Sequence, residues 1–178
     1  MEISNKLDAN LRHFHQLLRV NENFDVVYRV IQIGGRDACV YFVDGFAKDD
    51  TLLRILQGFT SLKPDAVPQT AHEFSKLFIP YGEVELLTDD AEIAVQVLSG
   101  VPCLFVDGYS KCFAIDCRTY PARGVAEPDK DKVLRGSRDG FVETLVFNTA
   151  LIRRRIRDPQ MTIEVMQAGS KSHTDIAL

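Results

Sequence analysis

The sequence has no tryptophan, only four histidines and four cysteines, and no long apolar run. Its longest purely apolar stretch, Ala38 to Val43, is six residues, where a membrane-crossing helix needs ~20. The opening Met1-Glu2-Ile3-Ser4-Asn5-Lys6-Leu7-Asp8 lacks the basic and then apolar regions of a signal peptide. A soluble, cytoplasmic body is expected on these grounds. Basic excess is also missing. The 21 Lys and Arg stand against 25 Asp and Glu, for a net charge of −4, which disfavours a protein built to grip nucleic acid. No Cys-x-x-Cys pair, His-Glu-x-x-His, Gly-x-Ser-x-Gly, Walker A or Gly-x-Gly-x-x-Gly pattern occurs. Cys39, Cys103, Cys112 and Cys117 are expected to be reduced, buried thiols. Cys112 and Cys117 lie an odd number of positions apart in a strand-like run and would point to opposite faces. His13 and His15, at i and i+2 of one helix, face different ways. Asp44 and Asp107 each precede glycine and read as turn residues. No enzyme, metal site or cofactor is expected.

What remains is an ordinary folding composition, 46% hydrophobic and 26% charged over 178 residues. Leu7, Leu11, Phe14 and Leu18 recur at helical spacing, with Ser4 or Asn5 as a candidate cap. Val26–Ile33 and Ala38–Val43 are β-rich runs around Gly34-Gly35-Arg36-Asp37, a hairpin signal. A helix opens at Asp49 or Asp50, and another spans about Ala71 to Phe78 beyond a proline-bearing loop. Glu83–Leu87 reads as a strand, and Thr88 as the cap of a helix stopped by Gly100. Val101–Val106 and Lys111–Cys117 form a second hairpin around Asp107-Gly108. A two-residue turn there would set Cys103 opposite Cys112; a longer loop would break that register. The runs Cys39 to Phe46 and Cys103 to Tyr109 echo each other, each an apolar strand entering Asp-Gly-aromatic. The expectation is an α/β fold of two small subdomains, each a mixed sheet with hairpins packed against helices, covering 1–82 and 83–178. Pro80-Tyr81-Gly82 supplies the boundary.

Charge is uneven. Arg118 to Arg157 holds 10 basic and 5 acidic residues, a local +5, leaving −9 elsewhere. A helix is expected from about Arg138 to Arg157, ended by Asp158-Pro159, with a strand at Thr162–Met166. At 100° per residue, Arg153 and Arg157 share a face, Arg154 and Arg155 spread around the rest, and Ile152 and Ile156 are left for the core. Such arginines suit a solvated face, a partner subunit, anionic lipid or, least of all, nucleic acid. At the expected helix start, Arg135-Gly136-Ser137-Arg138-Asp139-Gly140 offers small residues and guanidiniums that suit either a cap or an anion. The residues His173–Leu178 begin an apolar pattern that breaks off, as expected of a longer polypeptide.

From Pro121 onward the chain resembles one family. Pro121-Ala-Arg123-Gly-Val-Ala-Glu127-Pro128, then Leu134 to Glu143, then Asn148 to Ile156 are similar to the A-subunit family of bacterial spore germinant receptors. The resemblance implies a soluble region of two α/β subdomains followed by membrane-spanning helices, in the spore inner membrane, with this region on the spore-core side. It implies work in complexes with other germination membrane subunits, homo-oligomerisation into an ion-conducting assembly, and no catalytic residues. The family's motif residues fall here on Arg123, Glu127, Pro128, Arg135, Gly136, Arg138, Gly140, Phe141, Glu143, Asn148, Arg153, Arg154 and Arg155. Together with Ser137 and Arg157, the polar ones are the candidate interaction or anion contacts. The expected role is assembly or signal transmission; the alternative is a germinant- or anion-binding module with a cleft between subdomains.

Overall fold

The computed structural model describes residues 2–46, 49–79, 83–120 and 140–178. Strands β1 (Val26–Ile33) and β2 (Arg36–Val43) form the expected hairpin, closed on the pair Ile33↔Arg36. Gly34 and Gly35 have φ of +54° and +76°, a conformation that follows strand twist at no cost to glycine. A Cβ on Gly34 would stand 2.2 Å from Val67 Cγ2, so glycine is required there twice over. Strands β3 (Glu83–Leu87), β4 (Cys103–Val106) and β5 (Cys112–Asp116) complete a sheet of order β1-β2-β4-β5-β3, all pairs antiparallel. The α/β class thus holds, with two corrections. The pairs are antiparallel throughout, and the expected halves do not own separate sheets. Cys39 pairs with Phe105 and Tyr41 with Cys103, so the sheet runs across residue 82. In the second hairpin Cys103 lies opposite Ala114, the register of the longer loop.

Alternation along the strands feeds two cores. One face sets Cys39, Tyr41, Cys103, Phe105 and Cys112 against α1 (Leu7–Leu17) and α4 (Asp90–Leu98), through Phe14, Ile93 and Val97. The other sets Val40, Leu104 and Phe113 against α2 (Asp49–Thr60) and α3 (Ala71–Phe78), through Ile55, Phe59 and Phe74. The result is three layers with a sheet buried on both sides. All four cysteines are free and buried, and burial pushes the Cys39 thiol up to about 12. Helix ends follow ordinary capping chemistry, with two surprises. The Thr70 hydroxyl accepts from Glu73 N at the start of α3. Asp89, not Thr88, caps α4. Neither Ser4 nor Asn5 caps α1; Leu7 N donates to Asp107 Oδ1 at 2.9 Å, and Gly108 N donates to Asn5 O at 2.8 Å. The Asp-Gly turn of one hairpin therefore caps a helix far away in sequence.

The carboxyl-terminal part adds α5 (Leu145–Arg155) and a separate hairpin of β6 (Val165–Ala168) and β7 (Thr174–Ala177). The helix expected from Arg138 begins only at Leu145. Its side chain Asn148 reaches back, accepting from Val142 N and donating to Val142 O, each at 2.7 Å, which holds 142 out of the helix. The strand expected at Thr162–Met166 starts later, because Ile163 N donates to Asn23 Oδ1 and Phe24 N donates to Ile163 O. No described helix is long and apolar enough to cross a membrane.

Candidate functional site

The arginine-rich helix is mounted on the sheet by its own cation. Arg153 is fully buried. Its Nε donates to Asp25 Oδ2 at 2.8 Å, and Nη2 to Asp25 Oδ1 and Asn23 Oδ1, each at 3.0 Å. Nη1 donates to Met161 O at 3.0 Å. Asn23 in turn donates from Nδ2 to Leu18 O, and Asp25 O accepts Asp44 N at 2.8 Å. One guanidinium thus ties together α5, the end of α1, the start of β1, the β2 turn and the segment before β6. A charge is stable out of water only when its partners are this complete.

This mounting corrects the expected orientation of the helix. Arg153 faces the protein, whereas Ile152 and Ile156 are 37% and 47% exposed. The side turned inward carries Thr149, Ala150 and Arg153. Small residues let the helix come close. A Cβ on Gly45, where φ is +84°, would stand 3.2 Å from Val146 Cγ1 and 3.5 Å from Ala150 Cβ. Close approach plus a four-acceptor socket outweighs the apolar gain of burying two isoleucines.

A second anchor lies one residue further along the helix. The Arg154 guanidinium lies 4.3 Å from the centre of the Tyr120 ring, a stacking worth ~0.5–1 kcal/mol at exposed sites. Tyr120 packs edge-on against Phe46 and donates its hydroxyl to Ser99 O at 3.0 Å. Thr119 N donates to Phe46 O at 2.7 Å. Nearby, Arg118 grips the Asp116 carboxylate with Nε and Nη2, and these bonds hold that carboxyl below its ordinary value. The sequence signal for Tyr120 was only an aromatic next to Pro121 in a basic stretch.

Of the remaining candidates, Arg155 and Arg157 are exposed, with Arg157 Nε donating to Arg154 O at 3.3 Å. Glu143 is exposed, and Asn148 is spent on the local backbone. Arg123, Glu127, Arg135, Gly136, Ser137 and Arg138 lie outside the described residues. Among the described residues no group of three His, Cys, Asp or Glu could hold a metal ion. Open clefts lie elsewhere among the described residues. One of ≈ 300 Å³ is lined by Glu83, Glu85, Gln96, Asp116 and Arg118; another of ≈ 340 Å³ by Gln69, His72, Tyr109 and Lys111. Neither includes α5. The arrangement around α5 can hold surfaces together.

Comparison with known proteins agrees with the resemblance. The family described as Bacillus/Clostridium GerA spore germination protein matches residues 13–178. Stage V sporulation protein AF of Bacillus subtilis (strain 168) is 35% identical over 174 residues, covering 95% of this chain and 34% of that protein. Spore germination protein KA of the same organism is 29% identical over 165 residues, covering 89% and 30%. The chain therefore spans about a third of the length of these relatives. The crystal structure of the N-terminal domain of the A subunit of the Bacillus megaterium spore germinant receptor GerK3 has the same fold. Its TM-score is 0.75 at 22% identity, over 99% of this chain and 65% of that one.

Proposed function

Because this chain belongs to the Bacillus/Clostridium GerA spore germination protein family, we propose that it is a non-enzymatic domain of a spore inner-membrane germination protein. In this reading it lies on the spore-core side, joins neighbouring subunits of a germinant-receptor or ion-channel-like complex, and passes conformational change to the membrane part. The observation that carries the reading is the mounting of α5. Arg153 fixes the helix to Asp25 and Asn23 inside the body, while Ile152, Arg155, Ile156 and Arg157 are left facing out. A rigidly held helix with an apolar and basic outer side is suited to docking, and a shift imposed on it would reach the body through Arg153 and through the Arg154–Tyr120 stack. Anionic lipid headgroups are a second surface that this side suits.

The test is made in the full-length protein. Arg155→Glu combined with Arg157→Glu is expected to keep the fold, yet reduce co-purification of partner subunits and slow germination. Arg153→Met is expected to disturb the fold as well, because it strands the Asp25 carboxylate. Unchanged assembly and germination in the double reversal would remove this role for the helix. The rival reading, a germinant- or anion-binding module with a cleft between subdomains, has in its support the cleft that Gln69 and His72 line together with Tyr109 and Lys111. An unshifted melting temperature with amino acids, sugars and inorganic phosphate would count against it.

A further inference from the structure

The two edges of the five-stranded sheet are defended unequally. Edge strand β3 is short and presents Glu83 and Glu85 to solvent, a usual protection against strand addition. Edge strand β1 is eight residues long, Val-Val-Tyr-Arg-Val-Ile-Gln-Ile, without proline, lysine or a bulge. The Gly34-Gly35 turn closes on the hydrogen-bonded pair Ile33↔Arg36, so alternate residues 27, 29, 31 and 33 turn their backbone groups to β2. Val26, Tyr28, Val30 and Gln32 turn theirs outward. Two bonds fix this phase: Asp25 O accepts Asp44 N on the inner side, and Phe24 N donates to Ile163 O on the outer side. Beyond Phe24 the outward groups have no backbone partner among the described residues. The side chains beside them are exposed too, Tyr28 at 40% and Val30 at 56%.

From this edge we infer an interaction surface, and its occupant is β1 of a second copy, paired antiparallel about Val30. Registers centred on residues 28 to 31 keep the outward groups in phase; those centred on Arg29 and Val30 pair seven residues within the strand, those centred on Tyr28 and Ile31 only five. Centred on Arg29, the two guanidiniums oppose each other across the junction, which is destabilising. Centred on Tyr28, the added strand collides with Ile163, which already occupies Phe24 N. Centred on Val30, Tyr28 meets Gln32 of the second copy, Arg29 meets Ile31, and Val30 meets itself, so no like charges face one another. The contact is isologous and closes as a two-fold dimer, joining two sheets edge to edge.

Sedimentation of the 178-residue chain over a range of concentrations tests this. A monomer–dimer equilibrium is expected, weakened roughly tenfold or more by Val30→Lys with the circular dichroism unchanged. The amides of Tyr28 and Val30 should exchange with solvent more slowly as concentration rises. A chain that stays monomeric up to ~1 mM, or a dimer that Val30→Lys leaves intact, overturns the inference. Should that variant fail to fold, amide exchange in the unsubstituted chain decides: rates at Tyr28 and Val30 that ignore concentration overturn it equally. The inference rests on the sheet edge alone, so a monomer leaves the reading of α5 as it stands.

Discussion

A guanidinium taken fully out of water keeps its charge only where acceptors replace its hydration, and Arg153 finds a carboxylate, an amide oxygen and a carbonyl. Its neighbour Arg154 differs by 100° around the helix and stacks on Tyr120 instead. Consecutive residues of identical chemistry thus do different things: one is a buried bolt, one a clamp, and Arg155 faces outward. Asp107 is a third residue whose role lies in a distant partner. Its carboxylate accepts the Leu7 amide at the start of α1, where unpaired N–H groups and the helix dipole favour an anion. Asp107→Ala is expected to destabilise the chain by ~1 kcal/mol in urea unfolding, with Asp107→Asn avoiding most of that loss because its amide oxygen can still accept the Leu7 amide. Equal stability of all three would show that the cap contributes nothing.

At the scale of elements, α5 shows why an apolar pattern is a weak guide to the inward side of a short helix. Ile152 and Ile156 repeat at i and i+4, the spacing of a core stripe, yet the helix turns Ala150, Leu151 and Arg153 inward. Leu151→Ala is therefore expected to cost about 2–5 kcal/mol, and Ile152→Ala less than ~1 kcal/mol, both read from urea midpoints. The reverse order would contradict the mounting. Other elements were legible because their determinants are local. Gly34-Gly35 sets the first hairpin. Thr70 and Glu73 form a cap from residues three apart. The start of α5 was not legible, since it depends on Asn148 gripping Val142 rather than on propensity.

For the whole molecule, the decisive fact is the β2–β4 pairing, which joins the chain on either side of residue 82 by backbone hydrogen bonds and shared cores. In urea, circular dichroism and tyrosine fluorescence are expected to report one coincident transition for the sheet and the helices packed on it. Residues 1–82 alone are expected not to fold, since β2 would lose β4 and α1 would lose its Asp107 cap. A folded 1–82 fragment, or two separated transitions, would restore the division into independent units. The Asp-Gly-aromatic echo fits this picture. Both turns have positive-φ glycines and a bond from the aromatic amide back to a valine carbonyl, Phe46 to Val43 and Tyr109 to Val106. Because β2 and β4 run antiparallel, the two turns mark opposite ends of the central strand pair.

The sequence by itself determined the element types, the α/β class, the first hairpin and the family, since each is written in short-range spacing or in a continuous motif from Pro121 to Ile156. Only the tertiary structure decided that one sheet unites the two halves, that Arg153 points inward, and that Tyr120 receives Arg154. Those outcomes depend on what stands opposite each residue. Asp25 lies 128 residues from Arg153, and no periodicity within either segment carries that distance.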